Sequence, residues 1–291
     1  MEFRTDLALE KAENMGKIMP EGVILSTSER EKVKVTHIEV VDEAGEKAIG
    51  KPVGKYITVE IEPLMQFSQL ESEAAQAVAD ELKKLLPENG TVLVAGLGND
   101  EITPDALGPR CAHKIFATRH IEGEIAESTG LYGLRKVCAL QTGVLGETGI
   151  EAVDIITAIV SKIKPSAVIT VDALAARRVS RLGRTVQISD SGIVPGSGVG
   201  NSRKEINGKT LGVPVISIGI PTVVDASTLA NDVMNPDGEN TVSTDDEYSL
   251  MMVTPREIDL VIERASKLVS LAINLALQPE LDEHDLLILT A

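Results

Sequence analysis

The sequence predicts an α/β protein, a three-layer α/β/α sandwich with a largely parallel central sheet and a β-rich N-terminal elaboration. Short continuous apolar runs alternate along the chain with amphipathic patterns of helical period, which is typical of a sheet covered on both faces by helices. The chain has 291 residues, of which 43% are hydrophobic, so a sizeable core can be buried. Only 2% are aromatic and Trp is absent, which makes that core aliphatic.

The N-terminal part carries the β-type patterns. The first twenty residues are polar and helix-capable and end at Pro20. Residues 34–41 and 56–61 alternate apolar and polar side chains, and residues 42–45 supply turn chemistry after the first run. We therefore expect the chain to enter the fold through a small set of strands.

The rest of the chain alternates helix and strand patterns. The predicted helices span residues 66–86, 107–119 and 149–163, and a last helix begins at the capping box Thr254-Pro255-Arg256-Glu257 and stops before Pro279. The predicted buried strands span residues 91–95, 167–171 and 213–218. Residues 231–247 are rich in Asp, Asn and Gly and predict a mobile loop within a single domain that spans residues 7–291.

Composition excludes several classes of function. With 28 Lys and Arg against 44 Asp and Glu, the net charge is −16, which argues against binding a nucleic-acid backbone. The N-terminus carries no signal peptide and no apolar run approaches the about 20 residues of a membrane span, so we expect a cytoplasmic protein. Two cysteines and four scattered histidines predict neither a disulfide framework nor a metal site, and no cofactor is expected.

Two aspartates stand where open α/β sheets place their ligands, at the carboxyl ends of strands. Asp172 directly follows the predicted strand 167–171, and Asp105 lies in the loop after the strand 91–95. Each also has a structural explanation: Asp105 as a helix N-cap, and Asp172 as a strand-end residue bonded to the backbone. If the two strands are neighbours, the carboxyls could share a proton and activate water, or hold a divalent cation, and their spacing alone leaves both alternatives open.

Two glycine loops are candidates for anion sites. Gly96-x-Gly98 lacks the third glycine of a dinucleotide fingerprint and is followed by acidic residues, so dinucleotide binding is not predicted. The loop 196–201, followed by Arg203 and Lys204, predicts either a backbone nest for an anion or only a flexible turn.

Longer motifs make a family resemblance visible. They are Val94-Ala95-Gly96-Leu97-Gly98-Asn99, Thr103-Pro104-Asp105-Ala106-Leu107-Gly108-Pro109, Val171-Asp172-Ala173-Leu174-Ala175, Gln187-Ile188-Ser189-Asp190-Ser191-Gly192-Ile193 and Pro221-Thr222-Val223-Val224-Asp225-Ala226. These motifs resemble those of the spore germination proteases, endopeptidases of small acid-soluble spore proteins, and the resemblance extends over nearly the whole chain in the family's order. The core is also similar to that of hydrogenase-maturation endopeptidases, in which acidic residues at the equivalent loops bind nickel.

The resemblance implies an atypical aspartic endopeptidase that is made as a zymogen and processes itself. It implies that Asp105 and Asp172 are the catalytic pair, that the substrates are small acid-soluble spore proteins, and that the enzyme is a homotetramer in the cytoplasm of the forespore and spore core. Two alternatives remain: a metal-assisted peptidase that uses the same aspartates, and a non-catalytic binding protein on the same scaffold. The chain departs from the family in its short N-terminal arm and in having only residues 231–247 where better-known members carry a longer insertion.

The resemblance also implies where the zymogen is cut. Family substrates are cleaved beside an acidic residue, before an apolar and then a small residue, and Thr5-Asp6-Leu7-Ala8-Leu9-Glu10 repeats that pattern. We therefore predict self-cleavage between Asp6 and Leu7, which removes residues 1–6 as a propeptide. The alternative is that Asp6 caps a helix over residues 7–14.

Four cations are candidates for binding the acidic side chains of a substrate: Arg177, Arg178, Arg203 and Lys204. Arginine suits this role because its fork pairs a carboxylate in a fixed geometry. The alternative is that all four are ordinary solvated charges.

Overall fold

The computed structural model describes residues 5–13, 15, 19–30, 33–65, 71–200, 203–234 and 251–290. Its strands are β1 (Val23–Arg30), β2 (Val33–Val40), β3 (Gly54–Glu60), β4 (Val92–Gly96), β5 (Val137–Gln141), β6 (Ala167–Ala176), β7 (Thr185–Ser189), β8 (Val215–Asp225) and β9 (Met252–Val253). Its α-helices are α1 (Ala8–Glu13), α2 (Glu43–Ile49), α3 (Glu71–Leu85), α4 (Leu107–His113), α5 (Glu124–Thr129), α6 (Leu145–Thr148), α7 (Ala152–Ile163), α8 (Gly208–Leu211), α9 (Ala226–Met234), α10 (Ile258–Leu277) and α11 (Glu283–Leu289). Short 3₁₀ turns include Thr103–Asp105 and Ser197–Val199.

The strands of the described residues form one sheet in the order β1-β2-β3-β7-β8-β6-β4-β5, and β9 pairs with β8. The run β8-β6-β4-β5 is parallel, whereas β1, β2, β3 and β7 pair in antiparallel fashion. The antiparallel strands join the parallel part through the β3–β7 and β7–β8 pairs. The predicted fold class is therefore confirmed, and the N-terminal elaboration extends the same sheet.

Helices cover both faces of the parallel part. On one face α3, α4 and α10 pack against Ile169 and Val171 of β6, and on the other α7 and α8 pack against Val168. This alternation follows from the period of two in a strand, and it explains why β6 has an almost continuous apolar sequence. A third cluster places α1 and α2 against the antiparallel strands, around Ile38 and Tyr56.

The structure corrects three predicted element starts and ends. Residues 42–45 are the start of α2, with Asp42 as its N-cap accepting the N–H of Gly45 at 3.0 Å. The helix predicted over 107–119 ends at His113. The capping box at Thr254 does not form, because α10 begins at Ile258 and the Thr254 hydroxyl donates instead to the carbonyl oxygen of Thr222 at 2.9 Å.

Two further predictions change at the edges of strands and loops. Asp172 lies inside β6, because pairing with β8 continues to Ala176. The loop predicted over 231–247 begins with helix, since α9 extends to Met234, and residues 235–250 lie outside the described residues, as do 66–70 of the predicted helix 66–86. No helix in the described part of the chain is long and apolar enough to cross a lipid bilayer.

Candidate active site

A cavity of about 580 Å³ opens beside β6, β7 and β8. Asp172 of β6 and Gln187 of β7 line it, together with Lys51 from the loop before β3. Thr5 and Asp6 of the N-terminal arm also line this cavity. The site is therefore assembled from the parallel strands, the antiparallel strands and the first described residues of the chain.

Asp172 is the acidic group at the centre of this region. Its side chain is buried, and its Oδ1 accepts the N–H of Ala173 at 2.9 Å. Burial raises the pKa of Asp172 well above the ordinary value of 3.8, and the negative charges of Asp105 and Asp6 raise it further. A carboxyl in this state holds its proton at a pH where an exposed aspartate is ionised.

The negative charge of Asp105 raises the pKa of Asp172, but Asp105 does not line the cavity. Its Oδ2 accepts the N–H of Asn99 at 2.7 Å, and the N-cap of α4 is Ala106, so Asp105 is not the predicted helix cap. Burial raises the pKa of Asp105, and the charge of Glu147 adds to that effect. Of the two predicted aspartates, Asp105 lies close enough for its charge to raise the pKa of Asp172.

Gly98 is needed to place Asp105. It has φ +107°, which favours glycine, and a β-carbon there would lie 2.2 Å from the carbonyl oxygen of Asp105. The glycines of this loop serve close backbone packing at the turn that carries the aspartate.

The first described residues of the N-terminal arm form part of the cavity wall and are held there by hydrogen bonds. The N–H of Asp6 donates to the carbonyl oxygen of Ala175 at 2.9 Å, and the carboxylate of Asp6 accepts from the N–H of Ala175 at 2.8 Å and from the Ser197 hydroxyl at 2.9 Å. Leu7 is fully buried in an apolar cluster with Leu174 of β6 and three other residues, Ala176, Leu182 and Val224. The Asp6 carboxylate therefore binds β6 and the 3₁₀ turn Ser197–Val199, and α1 begins two residues later at Ala8.

The carbonyl oxygen of Asp6, which belongs to the peptide bond to Leu7, accepts two hydrogen bonds. Lys51 Nζ and Gln187 Nε2 each donate to it at 2.9 Å. The Oε1 of Gln187 accepts the N–H of Ala8 at 2.7 Å, so this side chain contacts the backbone on both sides of Leu7. Burial lowers the pKa of Lys51, and the charge of Asp6 opposes that effect.

Glu10 is the second acidic anchor of the arm. Its carboxylate is almost completely buried and accepts the main-chain N–H groups of Arg177 and Arg178 at 2.7 and 2.8 Å, together with the Thr5 hydroxyl. The guanidinium of Arg178 lies 3.5 Å from the carboxylate of Glu13. These two arginine positions therefore hold an acidic side chain through their backbone.

The other two predicted cations lie differently. Lys204 is exposed and pairs with Asp154 of α7 at 3.2 Å, away from the arm. Arg203 is half-buried, and its N–H donates to the carbonyl oxygen of Pro195. The loop 196–200 lies against the Asp6 carboxylate, so it binds an acidic group of the same chain, and Asn201 lies outside the described residues.

Sequence reasoning missed Lys51, Gln187 and Ser197. Gln187 begins one of the motifs that carry the family resemblance, so a signal existed for it. Lys51 stands alone between Gly50 and Pro52, and nothing in that pattern points to a buried lysine that reaches the arm. Within the described residues, no three or more His, Cys, Asp and Glu side chains form a group able to hold a metal ion.

Comparison with known proteins identifies the family to which the chain belongs. A family model described as germination protease matches residues 3–236. The germination protease of Clostridium tetani (strain Massachusetts / E88) is 42% identical over 321 aligned positions, which cover 98% of each chain. That of Caldanaerobacter subterraneus subsp. tengcongensis is 44% identical and covers 98% of this chain and 97% of that one. The first alignment is longer than the 291 residues of this chain, so gaps within it account for residues of the relative that this chain lacks.

A solved structure shows a weaker likeness. The [NiFe] hydrogenase maturation protease HycI from Thermococcus kodakarensis KOD1 is 18% identical, with a TM-score of 0.38 over 67% of this chain and 98% of that chain. At that level the likeness says nothing about the site.

A cavity lined by a buried aspartate and by residues of the N-terminal arm, in a chain with these relatives, is that of a protease. The chain belongs to the germination protease family. The resemblance read from the motifs is thereby confirmed.

Proposed function

We propose that this chain is the zymogen of a germination endopeptidase that cleaves its own Asp6–Leu7 bond with Asp172 and Asp105, and then degrades small acid-soluble spore proteins. One observation carries the proposal: Asp6, the residue before the predicted cut, lines the same cavity as Asp172. Asp6, Leu7 and Glu10 are each bound at a separate place on the protein. The arm is bound as a substrate would be.

The chemistry follows from the paired aspartates. A water molecule attacks the carbonyl carbon of Asp6 while one carboxylate of the pair accepts its proton, and the other carboxyl donates a proton to the nitrogen of Leu7 as the bond breaks. The raised pKa of Asp172 suits it to carry the proton in the resting state, and Asp105 is then the ionised partner. Neither role requires a serine or cysteine nucleophile.

The same binding places would receive a substrate after the arm has left. They accept an acidic residue before the cut, an apolar residue after it and a second acid three residues further on. An excess of negative charge keeps the enzyme from competing for the DNA that such substrates protect. The proposal includes a homotetramer that works in the cytoplasm of the forespore and spore core, with no membrane and no nucleic acid as partner.

Self-processing is the direct test. We expect the purified chain, incubated at mildly acidic pH, to yield a product that begins Leu7-Ala8-Leu9-Glu10, as read by N-terminal sequencing. Because the arm lies in the cavity of its own chain, the rate constant should not depend on protein concentration. Asp172→Asn and Asp105→Asn should abolish the cut, and Asp259→Asn, at an exposed position at the start of α10, should leave it unchanged.

Three results would count against the proposal. A cut elsewhere, or processing that persists in a folded Asp105→Asn or Asp172→Asn chain, would remove the paired-aspartate mechanism. Activity that disappears on dialysis against a chelator and returns with a divalent ion would favour the metal-assisted alternative, because two carboxylates are suitable ligands for such an ion. No cleavage of the arm or of a spore-protein substrate would favour a binding protein.

A further inference from the structure

The carbonyl oxygen of Asp6 has the surroundings of an oxyanion site. Two donors from different parts of the sheet, Lys51 Nζ and Gln187 Nε2, converge on it, each at 2.9 Å. Groups that stabilise the oxyanion of acyl transfer lie about 2.7–3.1 Å from the oxygen that becomes charged. Both donors therefore already contact, in the resting peptide, the oxygen that would become charged.

The orientation of Gln187 is fixed by its other contact. The N–H of Ala8 needs an acceptor, and the Oε1 of Gln187 supplies it at 2.7 Å. The amide nitrogen must then face the carbonyl oxygen of Asp6, since the two ends of the amide cannot exchange roles without placing N–H against N–H. Gln187 is buried in β7, so neighbouring strands hold it in place.

Lys51 supplies the positive charge at this oxygen. Its ammonium reaches the Asp6 backbone from the loop between α2 and β3, and burial there makes the charged form costly. A negative charge that develops 2.9 Å away offsets this cost, so the attraction is greater in the tetrahedral intermediate than in the resting peptide. Only an interaction that strengthens in this way accelerates the reaction.

We propose that Lys51 and Gln187 are catalytic residues that stabilise the oxyanion formed when the peptide bond after an acidic residue is hydrolysed. The inference rests on the proposed function, because it takes Asp6–Leu7 as the bond that is cut. Water oxygen bonds to the carbonyl carbon of Asp6, and the π electron pair moves onto the carbonyl oxygen between Lys51 and Gln187. The pair returns as the C–N bond breaks, the nitrogen of Leu7 receives a proton, and the products are a carboxyl and an amine.

Three variants and one control test this assignment. Lys51→Met removes the charge and keeps the length of the side chain. Gln187→Glu keeps an acceptor for Ala8 and loses the donor to Asp6. Lys51→Arg restores a cation, and Lys47→Met changes an exposed lysine of α2 as the control.

Self-processing is followed as a first-order rate, with thermal unfolding as a check of the fold. Each donor-removing variant should process about 10²–10³-fold more slowly, which is the usual effect of losing one such donor. Lys51→Arg should recover part of the rate, and Lys47→Met should match the unaltered chain. If Lys51→Met fails to fold, Gln187→Glu carries the test.

If Lys51 and Gln187 only held the arm in place, their substitution would loosen it. Binding of the arm is therefore measured separately, by hydrogen exchange at the N–H of Ala8. The oxyanion assignment requires that this amide stay protected in the slow variants. A rate that falls only in proportion to lost protection would overturn it, as would unchanged rates in both variants. If the unaltered chain does not cut Asp6–Leu7 at all, this inference and the proposed function fall together, whereas cutting with unaffected variants removes only the inference.

Discussion

Gly198 lies directly against the carboxylate of Asp6. A β-carbon at position 198 would come within 2.1 Å of Asp6 Oδ2 and 2.6 Å of the β-carbon of Ala175. The turn Ser197–Val199 and β6 thus form a slot that admits the carboxylate only because position 198 carries no side chain. The same turn donates the Ser197 hydroxyl to Asp6. A glycine loop that sequence alone reads as an anion nest or a flexible turn therefore holds an acidic side chain of this chain.

Gly198→Ala should stop self-processing. The methyl group would displace Asp6 and with it the carbonyl group of the bond to be cut, and it would also meet the β-carbon of buried Ala175, so some loss of stability should accompany the change. Processing is measured by mass spectrometry of the N-terminus. Gly146→Ala is the matched control, because no atom lies within 4 Å of a β-carbon there, and it should process at the normal rate. Normal processing of Gly198→Ala would show that Asp6 is not seated in this slot during the reaction.

Asp172→Asn should raise the melting temperature at neutral pH. In the folded protein burial, followed by the charges of Asp105 and Asp6, raises the pKa of Asp172 above its ordinary value, so the ionised form is costly. The amide carries no charge, and its oxygen can still accept the N–H of Ala173. We expect a gain of about 0.5–2 kcal/mol, the usual scale of a single stabilising substitution.

The stability gain of Asp172→Asn should depend on pH. A carboxyl whose pKa is raised in the folded state contributes its full stabilisation at a pH below its ordinary pKa. That contribution is lost as the pH rises from the ordinary pKa through the raised pKa. The advantage of Asp172→Asn should therefore shrink as pH falls through that pKa and disappear below about 3.8. Asp105→Asn removes a charge that raises the pKa of Asp172. In a chain that carries Asp105→Asn, the stability advantage of Asp172→Asn should therefore shrink at a lower pH. A gain that is the same at all pH values would contradict the linkage, and Asp259→Asn is the control.

Glu10→Gln should loosen the arm although it changes only one oxygen. The carboxylate accepts the N–H groups of both Arg177 and Arg178, and an amide side chain offers one acceptor, so one buried donor loses its partner. Such a loss costs about 1–3 kcal/mol. Faster hydrogen exchange across α1 is the measurement.

The matched comparison for this variant is Arg178→Ala. It keeps the N–H that binds Glu10 and removes only the guanidinium near Glu13, an exposed pair worth about 0–1 kcal/mol. Glu43→Gln at the exposed start of α2 is a second control. Equal loosening by Arg178→Ala and Glu10→Gln would show that the guanidinium, not the backbone, binds the arm.

The parallel core was predictable because its signals are local. The apolar run before Asp172 has the pattern of a strand buried on both faces, and the structure places it at the centre of the sheet. Element ends were harder, since the start of α10 depends on a tertiary contact: the Thr254 hydroxyl bonds to Thr222 of β8 instead of capping the helix. The start of α2 at Asp42 was read as a turn because Asp and Gly favour both structures.

The site was predictable only in part, for the same reason. Asp105 follows the buried strand β4, and Asp172 directly follows the apolar run that begins β6, so both positions can be recognised from sequence. Lys51 and Gln187 meet only when β3 pairs with β7, which joins segments far apart in the chain. Short-range patterns carry no information about that pairing. The backbone contacts of Arg177 and Arg178 with Glu10 were equally hidden, because residue types describe side chains and not the direction of an amide.

The β3–β7 pairing also bears on how this protein can be cut down or rebuilt. A shortened chain that starts after β3 would keep the whole parallel sheet, both aspartates and Gln187, and by most criteria would look like an intact protease scaffold. It would nevertheless lack Lys51, and the outer edge of β7 would be open to solvent. The antiparallel strands thus cover the edge of β7 and position Lys51, the cation proposed to stabilise the oxyanion. Minimal versions of this protein should therefore retain them.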